Sequence, residues 1–160
     1  MILSTLCYIE NDGAFLMLNR NRKASDVNHG KWIGVGGKFE TNESPEDCLI
    51  REVKEETGLD LRPGSYEWKG VLTFTYDTKP SEYIFVYKAH VSSRLISPGT
   101  SREGDLHWID KEKILSLPLW EGDRIFLPLL LEDKRVFFSL KLVYDKSDRL
   151  LTSESILYPR

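Results

Sequence analysis

Glu52, Glu55 and Glu56 are the residues whose types and spacing most directly invite chemistry. On an α-helix, which turns by about 100° per residue, Glu55 falls near −60° and Glu56 near +40° from Glu52, so three carboxylates share an arc of about 100°. Like charges one turn apart repel by roughly 0.2–0.5 kcal/mol per pair even at a surface. A solvated acidic face is the ordinary outcome of such a pattern. Here, however, the arc follows Gly30, Gly34, Gly36 and Gly37, whose missing side chains let backbone approach a ligand closely. Oxygen-only donors of this kind suit Mg²⁺ or Mn²⁺, which bind through a few carboxylates, waters and the phosphates of a substrate. Arg51 precedes Glu55 by one turn and can pair with it. The expectation from the residues alone is a divalent metal acting on a phosphorylated substrate.

A helix must carry this arc, and its borders are legible. Ser44 is a good N-cap, Pro45 fits the first helical position, Glu46 and Asp47 favour the positive end, and Gly58 marks the C-terminus. Leu49, Val53 and Thr57 fall on its other side, toward a core. Before it, Ile2 to Ile9 and Ala14 to Leu18 read as a β-hairpin around Asn11-Asp12-Gly13. A polar stretch from Asn19 to His29 follows, then the glycine cluster, which suits tight loops. Strands are expected at Tyr66 to Tyr76, Tyr83 to Val91, Leu106 to Ile109, Val136 to Tyr144 and Leu150 to Leu157, with a second helix from about Gly122 to Glu132. Strands flanking two helices indicate an α/β sandwich.

Composition narrows the classes. The chain has 160 residues, 22 Lys+Arg against 25 Asp+Glu, and a formal net charge of −3. That length reads as one domain, 1–160, able to bury a core without staples. The mild acidity argues against a duplex nucleic-acid binder. No apolar run is long enough to span a bilayer, the N-terminus lacks signal-peptide character, and Cys7 and Cys48 sit in apolar surroundings. A reduced, cytoplasmic protein with buried thiols is the expectation.

The residues Gly37-x5-Glu43-x7-Arg51-Glu52-Val53-x-Glu55-Glu56-x-Gly58-Leu59 match the Nudix box, G-x5-E-x7-R-E-U-x-E-E-x-G-U with U aliphatic, at every specified position. With each named residue drawn at roughly 6% and each aliphatic at about 20%, chance gives such a match on the order of 10⁻¹⁰ per starting position. The chain therefore resembles the Nudix hydrolases. The resemblance implies an α/β/α sandwich with a mixed sheet and a strand–loop–helix–loop metal site, hydrolysing a nucleoside diphosphate linked to a further group. It implies Glu52, Glu55 and Glu56 as Mg²⁺ ligands, with Mn²⁺ a possible substitute, and a backbone carbonyl of Gly36 or Gly37 as a further donor. Glu43 would support the site, Arg51 would orient the glutamates, and one glutamate would take a proton from the attacking water.

The likeness extends past the box. Trp32-Ile33-Gly34-Val35-Gly36-Gly37-Lys38 resembles the lead-in of MutT-type members that cleave oxidised purine triphosphates, and Leu119-Trp120-Glu121-Gly122-Asp123 resembles the base-recognition segment of the mammalian MutT homologue. The bacterial 8-oxo-dGTP diphosphatases are similar too. The implied reaction releases a nucleoside monophosphate and pyrophosphate, clearing a mutagenic precursor relevant to DNA repair. Glu103 stands where that group often keeps another acid near the metals, or is a surface carboxylate. Trp120 would stack on a base or fill the core. Asp123 would meet a purine N–H or serve a helix N-terminus. Thr5 and Arg20 fall at nucleotide-facing strand positions, and Lys38 would meet phosphate or be a loop charge. Two departures matter: Ile33 replaces an Asn that bonds the purine edge, and Gly122 replaces the first of two aspartates. They put base preference in question and leave two alternatives, another Nudix substrate (an RNA 5′ end or a nucleoside diphosphate sugar) and a non-catalytic nucleotide sensor. His29, His90 and His107 have no ligand-like spacing.

Overall fold

The N-terminal strand β1 (Ile2–Asn11) organises the molecule, because both of its edges are paired along almost all of their length. The computed structural model describes every residue except 22, 23, 27, 78 and 98–103. Asp12 (φ 45°) and Gly13 (φ 77°) turn the chain into β2 (Ala14–Asn19), the two positive φ angles that a tight two-residue hairpin demands. β2 pairs with β1 only from Ile9↔Leu16 to Asn11↔Ala14. It then diverges to take β3 (Trp32–Ile33) and, antiparallel along its whole length, β7 (Asp105–Asp110). The vacated half of β1's edge is filled by β4 (Val35–Lys38), from Ser4↔Lys38 to Cys7↔Val35. On the other edge β1 runs parallel to β6 (Glu82–His90). β6 is antiparallel to β5 (Tyr66–Tyr76), β5 is parallel to β8 (Val136–Tyr144), and β8 ends the sheet antiparallel to β9 (Leu150–Pro159).

Side chains alternate across this mixed sheet, and each face carries one helix. Cys7, Ile9, Leu16, Val35, Tyr87 and Ala89 face α1 (Pro45–Thr57), which buries Leu49 and Val53 among them. Tyr8, Phe15, Met17, Val86, Phe138 and Leu140 face the opposite way and pack with Phe126, Leu127 and Leu130 of α2 (Asp123–Leu131). The α/β/α arrangement expected from the sequence is thus observed. No helix among the described residues is long and apolar enough to cross a membrane.

α1 has the expected borders, with a capping box between Ser44 and Asp47 and Gly58 left-handed at φ 77°. The glycine cluster is corrected: Val35–Lys38 is a strand, not a loop. A Cβ on Gly36 would lie 1.9 Å from the Thr5 carbonyl oxygen, so the glycine is there to let two strands meet closely. A short 3-10 helix, Lys111–Ser116, has no counterpart in the sequence reading.

Candidate active site

β4 and α1 meet at Gly37, where a Cβ would fall 2.4–2.7 Å from the Glu52 carboxylate. The absent side chain is therefore what lets an acid lie on the backbone. Arg51 holds the acids from the other side. Its Nε and Nη2 donate to Glu43 Oε2 and Oε1 at 2.6 and 2.8 Å, a two-pronged pairing of the strong, geometry-fixing kind. Nη1 donates to Glu52 Oε1 at 2.8 Å and to Glu55 Oε2 at 3.3 Å, and Nη2 also reaches the Lys38 carbonyl at 3.0 Å. The i,i+4 pairing with Glu55 that the sequence suggests is present, but Glu43 is the principal partner. Arg51's hydrogen bonds, aided by the Glu40 N–H, lower the Glu43 carboxyl to about 2. Burial raises the Glu52 carboxyl above its ordinary range, with Glu55 adding to the rise and Arg51 opposing it.

Glu52 also lies within hydrogen-bonding reach of Glu56. Two carboxylates this close, one of them markedly desolvated, need a shared cation or proton. Together with a strand of glycine backbone, this all-oxygen donor set fits Mg²⁺ or Mn²⁺. Glu55 stands apart, with a half-exposed side chain (54%) outside the cavity lining. Among the described residues no three His, Cys, Asp or Glu side chains form a cluster that could hold a metal ion. Glu103 lies outside the described residues.

A cavity of about 600 Å³ runs from this acidic end to an aromatic one. Gly36, Gly37, Lys38, Arg51, Glu52 and Glu56 line it at β4 and α1, and Thr5, Arg20, Ile33, Trp120 and Asp123 also line it. The structure therefore brings together the six residues that the sequence suggested for substrate, Thr5, Arg20, Ile33, Lys38, Trp120 and Asp123. Thr5 Oγ1 is 3.4 Å from Cys48 Sγ, and Arg20 Nε donates to Asp26 Oδ2 at 2.7 Å. Trp120 lines the cavity and, only 5% exposed, packs in the core as well. Phe74, Tyr76 and Tyr144 meet its ring edge-on, with centroids 5.5, 5.9 and 4.9 Å away. Its Nε1 donates to Asn28 Oδ1 at 2.7 Å, and the Lys31 ammonium lies 4.6 Å from the ring centroid. Asp123, 7% exposed, has its carboxyl pushed up to about 7 by burial, against the pull of Arg124 and Lys31.

Sequence reasoning missed Asn28, Leu72, Phe74 and Tyr76 in this lining. The last three share one face of β5, so period-two alternation could have found them. Asn28 sits in a loop with no periodic signal. Cys7 and Cys48 are buried and free, as expected, and His107 packs against Trp32 at 5.5 Å.

Comparison with known proteins agrees with this geometry. The NUDIX domain family model matches residues 2–130. The uncharacterized Nudix hydrolase YvcI of Bacillus subtilis (strain 168) is 33% identical over 134 residues, covering 80% of this chain and 78% of that protein. The oxidized purine nucleoside triphosphate hydrolase of Danio rerio is 30% identical over 133 residues, covering 83% and 81%. The crystal structure of a MutT protein from Bacillus halodurans superposes with a TM-score of 0.82, 26% identity and 97% coverage of both chains. With an unbroken box on the helix and glycine strand that build the acidic end, this chain belongs to the Nudix family, as a hydrolase of the MutT type.

Proposed function

We propose that the chain, acting as one domain over residues 1–160, is a Mg²⁺-dependent pyrophosphohydrolase of purine nucleoside triphosphates, with 8-oxo-dGTP or a related (d)NTP as substrate. It releases the monophosphate and pyrophosphate and so cleanses the cytoplasmic nucleotide pool. The observation that carries this reading is the single cavity joining the box carboxylates to the Trp120–Asp123 end. The printed activity of the Danio rerio relative, on oxidized purine nucleoside triphosphates, supports the same substrate class.

Glu52 and Glu56, with the Gly36 carbonyl, would hold the metal, joined by Glu55 if it turns inward on loading and by Glu103. Bound there, Mg²⁺ supplies Lewis acidity that offsets charge on the phosphoryl oxygens and makes water a stronger acid. Arg51 keeps the acids ionised and aimed, and a glutamate of the set takes the proton of the attacking water. Lys38 offers positive charge along the path of the triphosphate, and Arg20 shares its charge there with Asp26. Trp120 gives a base an aromatic surface, worth about 1–3 kcal/mol by stacking. Asp123, poised between its two protonation states near neutral pH, can accept from or donate to a purine edge.

The test is a panel of dGTP, 8-oxo-dGTP, ATP, CTP, ADP-ribose and 5′-triphosphorylated RNA with Mg²⁺, quantifying pyrophosphate and phosphate. A kcat/KM preference for 8-oxo-dGTP with pyrophosphate release supports the proposal. Preferred cleavage of ADP-ribose or RNA would replace the substrate and keep the family chemistry, and binding with no turnover of any of them would make the chain a sensor.

A further inference from the structure

Among the described residues β9 ends the sheet with one edge unpaired, and it lacks the devices that usually blunt such an edge. It is ten residues long, carries Glu154 as its one charge, and has no proline before Pro159. Its irregularity sits at one end, opposite Val143/Tyr144, leaving 152–159 regular. Four of the nine strongly exposed large hydrophobic side chains among the described residues lie on it: Leu151 (60%), Ile156 (56%), Leu157 (48%) and Tyr158 (52%).

The ladder shows which backbone groups point outward. Arg160 N–H donates to the Arg135 carbonyl at 2.9 Å, in the register that pairs Tyr158 with Phe137 and Ile156 with Ser139. In an antiparallel pair the residues bonded to the neighbour alternate with those facing away. Residues 152, 154, 156 and 158 therefore bond β8, while Ser153, Ser155 and Leu157 present free N–H and C=O groups to the outside.

We propose that β9 is a self-association edge, on which two copies of this chain pair antiparallel about a twofold axis at Ile156 and continue one sheet through both. Ser155 bonds Leu157 of the other copy, Ile156 meets its own counterpart, and Glu154 faces Tyr158, diagonal to the other copy's Arg160, whose guanidinium also pairs with Glu67 of its own chain at 2.9 Å. Backbone donors and charge select this register together. Raising the pairing sum by two would face Glu154 directly with Arg160 but, because Pro159 has no N–H, would leave only about four main-chain hydrogen bonds. Lowering the sum by two would set Glu154 against Ile156, and lowering it by four would set Glu154 against itself, which is unfavourable. The ladder adds about six main-chain hydrogen bonds. A strand edge covers less than the about 800 Å² per partner of a standard interface. Association is thus expected to be weak and concentration-dependent.

Sedimentation equilibrium of the full chain from about 1 to about 500 µM measures this directly. Ser155→Pro removes an outward N–H without touching a β8 bond, and is expected to weaken dimerisation at least tenfold while circular dichroism and melting of the dilute protein stay unchanged. Ile156→Lys and Ile156→Glu are each expected to be monomeric, and their mixture to form a 1:1 heterodimer. A wild-type chain that is monomeric at the highest concentration, or a dimer undiminished by Ser155→Pro, would overturn the proposal. Loss of dimer in Ser155→Pro without heterodimer formation would overturn the axis at Ile156.

Discussion

Replacing Glu56 by Gln removes one charge from the acidic end while keeping the side chain's shape, so α1 has no reason to unfold. Turnover is expected to fall by about 10²–10⁴-fold, the range associated with positioned proton transfer and charge stabilisation, with melting temperature retained. Glu55→Gln is a sharper question because Glu55 stands outside the cavity lining. A comparable loss of kcat in steady-state assays would show that it swings inward on metal loading, whereas wild-type turnover would remove it from the ligand set. Asp123 makes its own prediction. Unfolded, its carboxyl titrates near 3.8, and in the folded chain near 7, so the folded state binds the extra proton between those values. Stability therefore falls as pH rises from about 4 to about 7 and is level above. Asp123→Asn lacks this penalty, and its advantage over wild type should grow across that window to the order of a few kcal/mol in urea titrations. An advantage independent of pH would mean that the carboxyl titrates normally.

At the scale of elements, α1 is the piece on which the chemistry depends, and its start is fastened by the Ser44–Asp47 capping box together with the Cys48 N–H donating to the Ser44 carbonyl at 3.1 Å. Ser44→Ala removes the bond from Ser44 Oγ to the Asp47 N–H (3.0 Å) and is expected to cost about 1 kcal/mol, lowering the melting temperature by roughly 2–4 °C in calorimetry. This helix was fully legible from Ser44, Pro45 and Gly58, because capping chemistry is local. The β4 strand was not. Gly36 and Gly37 carry no strand propensity, and only the nearness of Thr5 and Glu52, far away in sequence, explains why glycine is needed there. The acidic end was legible in the same measure: the box names Arg51 and Glu52, but nothing in its spacing says that Glu43 takes both prongs of the guanidinium. At the aromatic end Trp120 and Asp123 could be named, and Asn28 could not, since a loop residue is placed by what it meets.

For the whole molecule, the cavity draws its walls from β1, β3, β4, β5, β6, β8, the loop after β2, α1, and the start of α2 with Trp120 before it. A ligand that fills it ties the two helical layers together through the sheet. Mg²⁺ with a non-hydrolysable purine triphosphate at 100 times its Kd is expected to add about 2.7 kcal/mol of stability, with Mg²⁺ alone adding less, as read by thermal shift. Equal shifts from the two would show that the nucleotide contributes nothing to binding. The two ends of that cavity are built differently. The acidic end is a lattice of charge-assisted bonds converging on Arg51, whereas the far end is a packing of rings and aliphatic groups around Trp120. A lineage can therefore exchange Ile33 and wander among nucleobases, while any change in the guanidinium's grip is met at once by selection. Diet is free to drift where digestion is not.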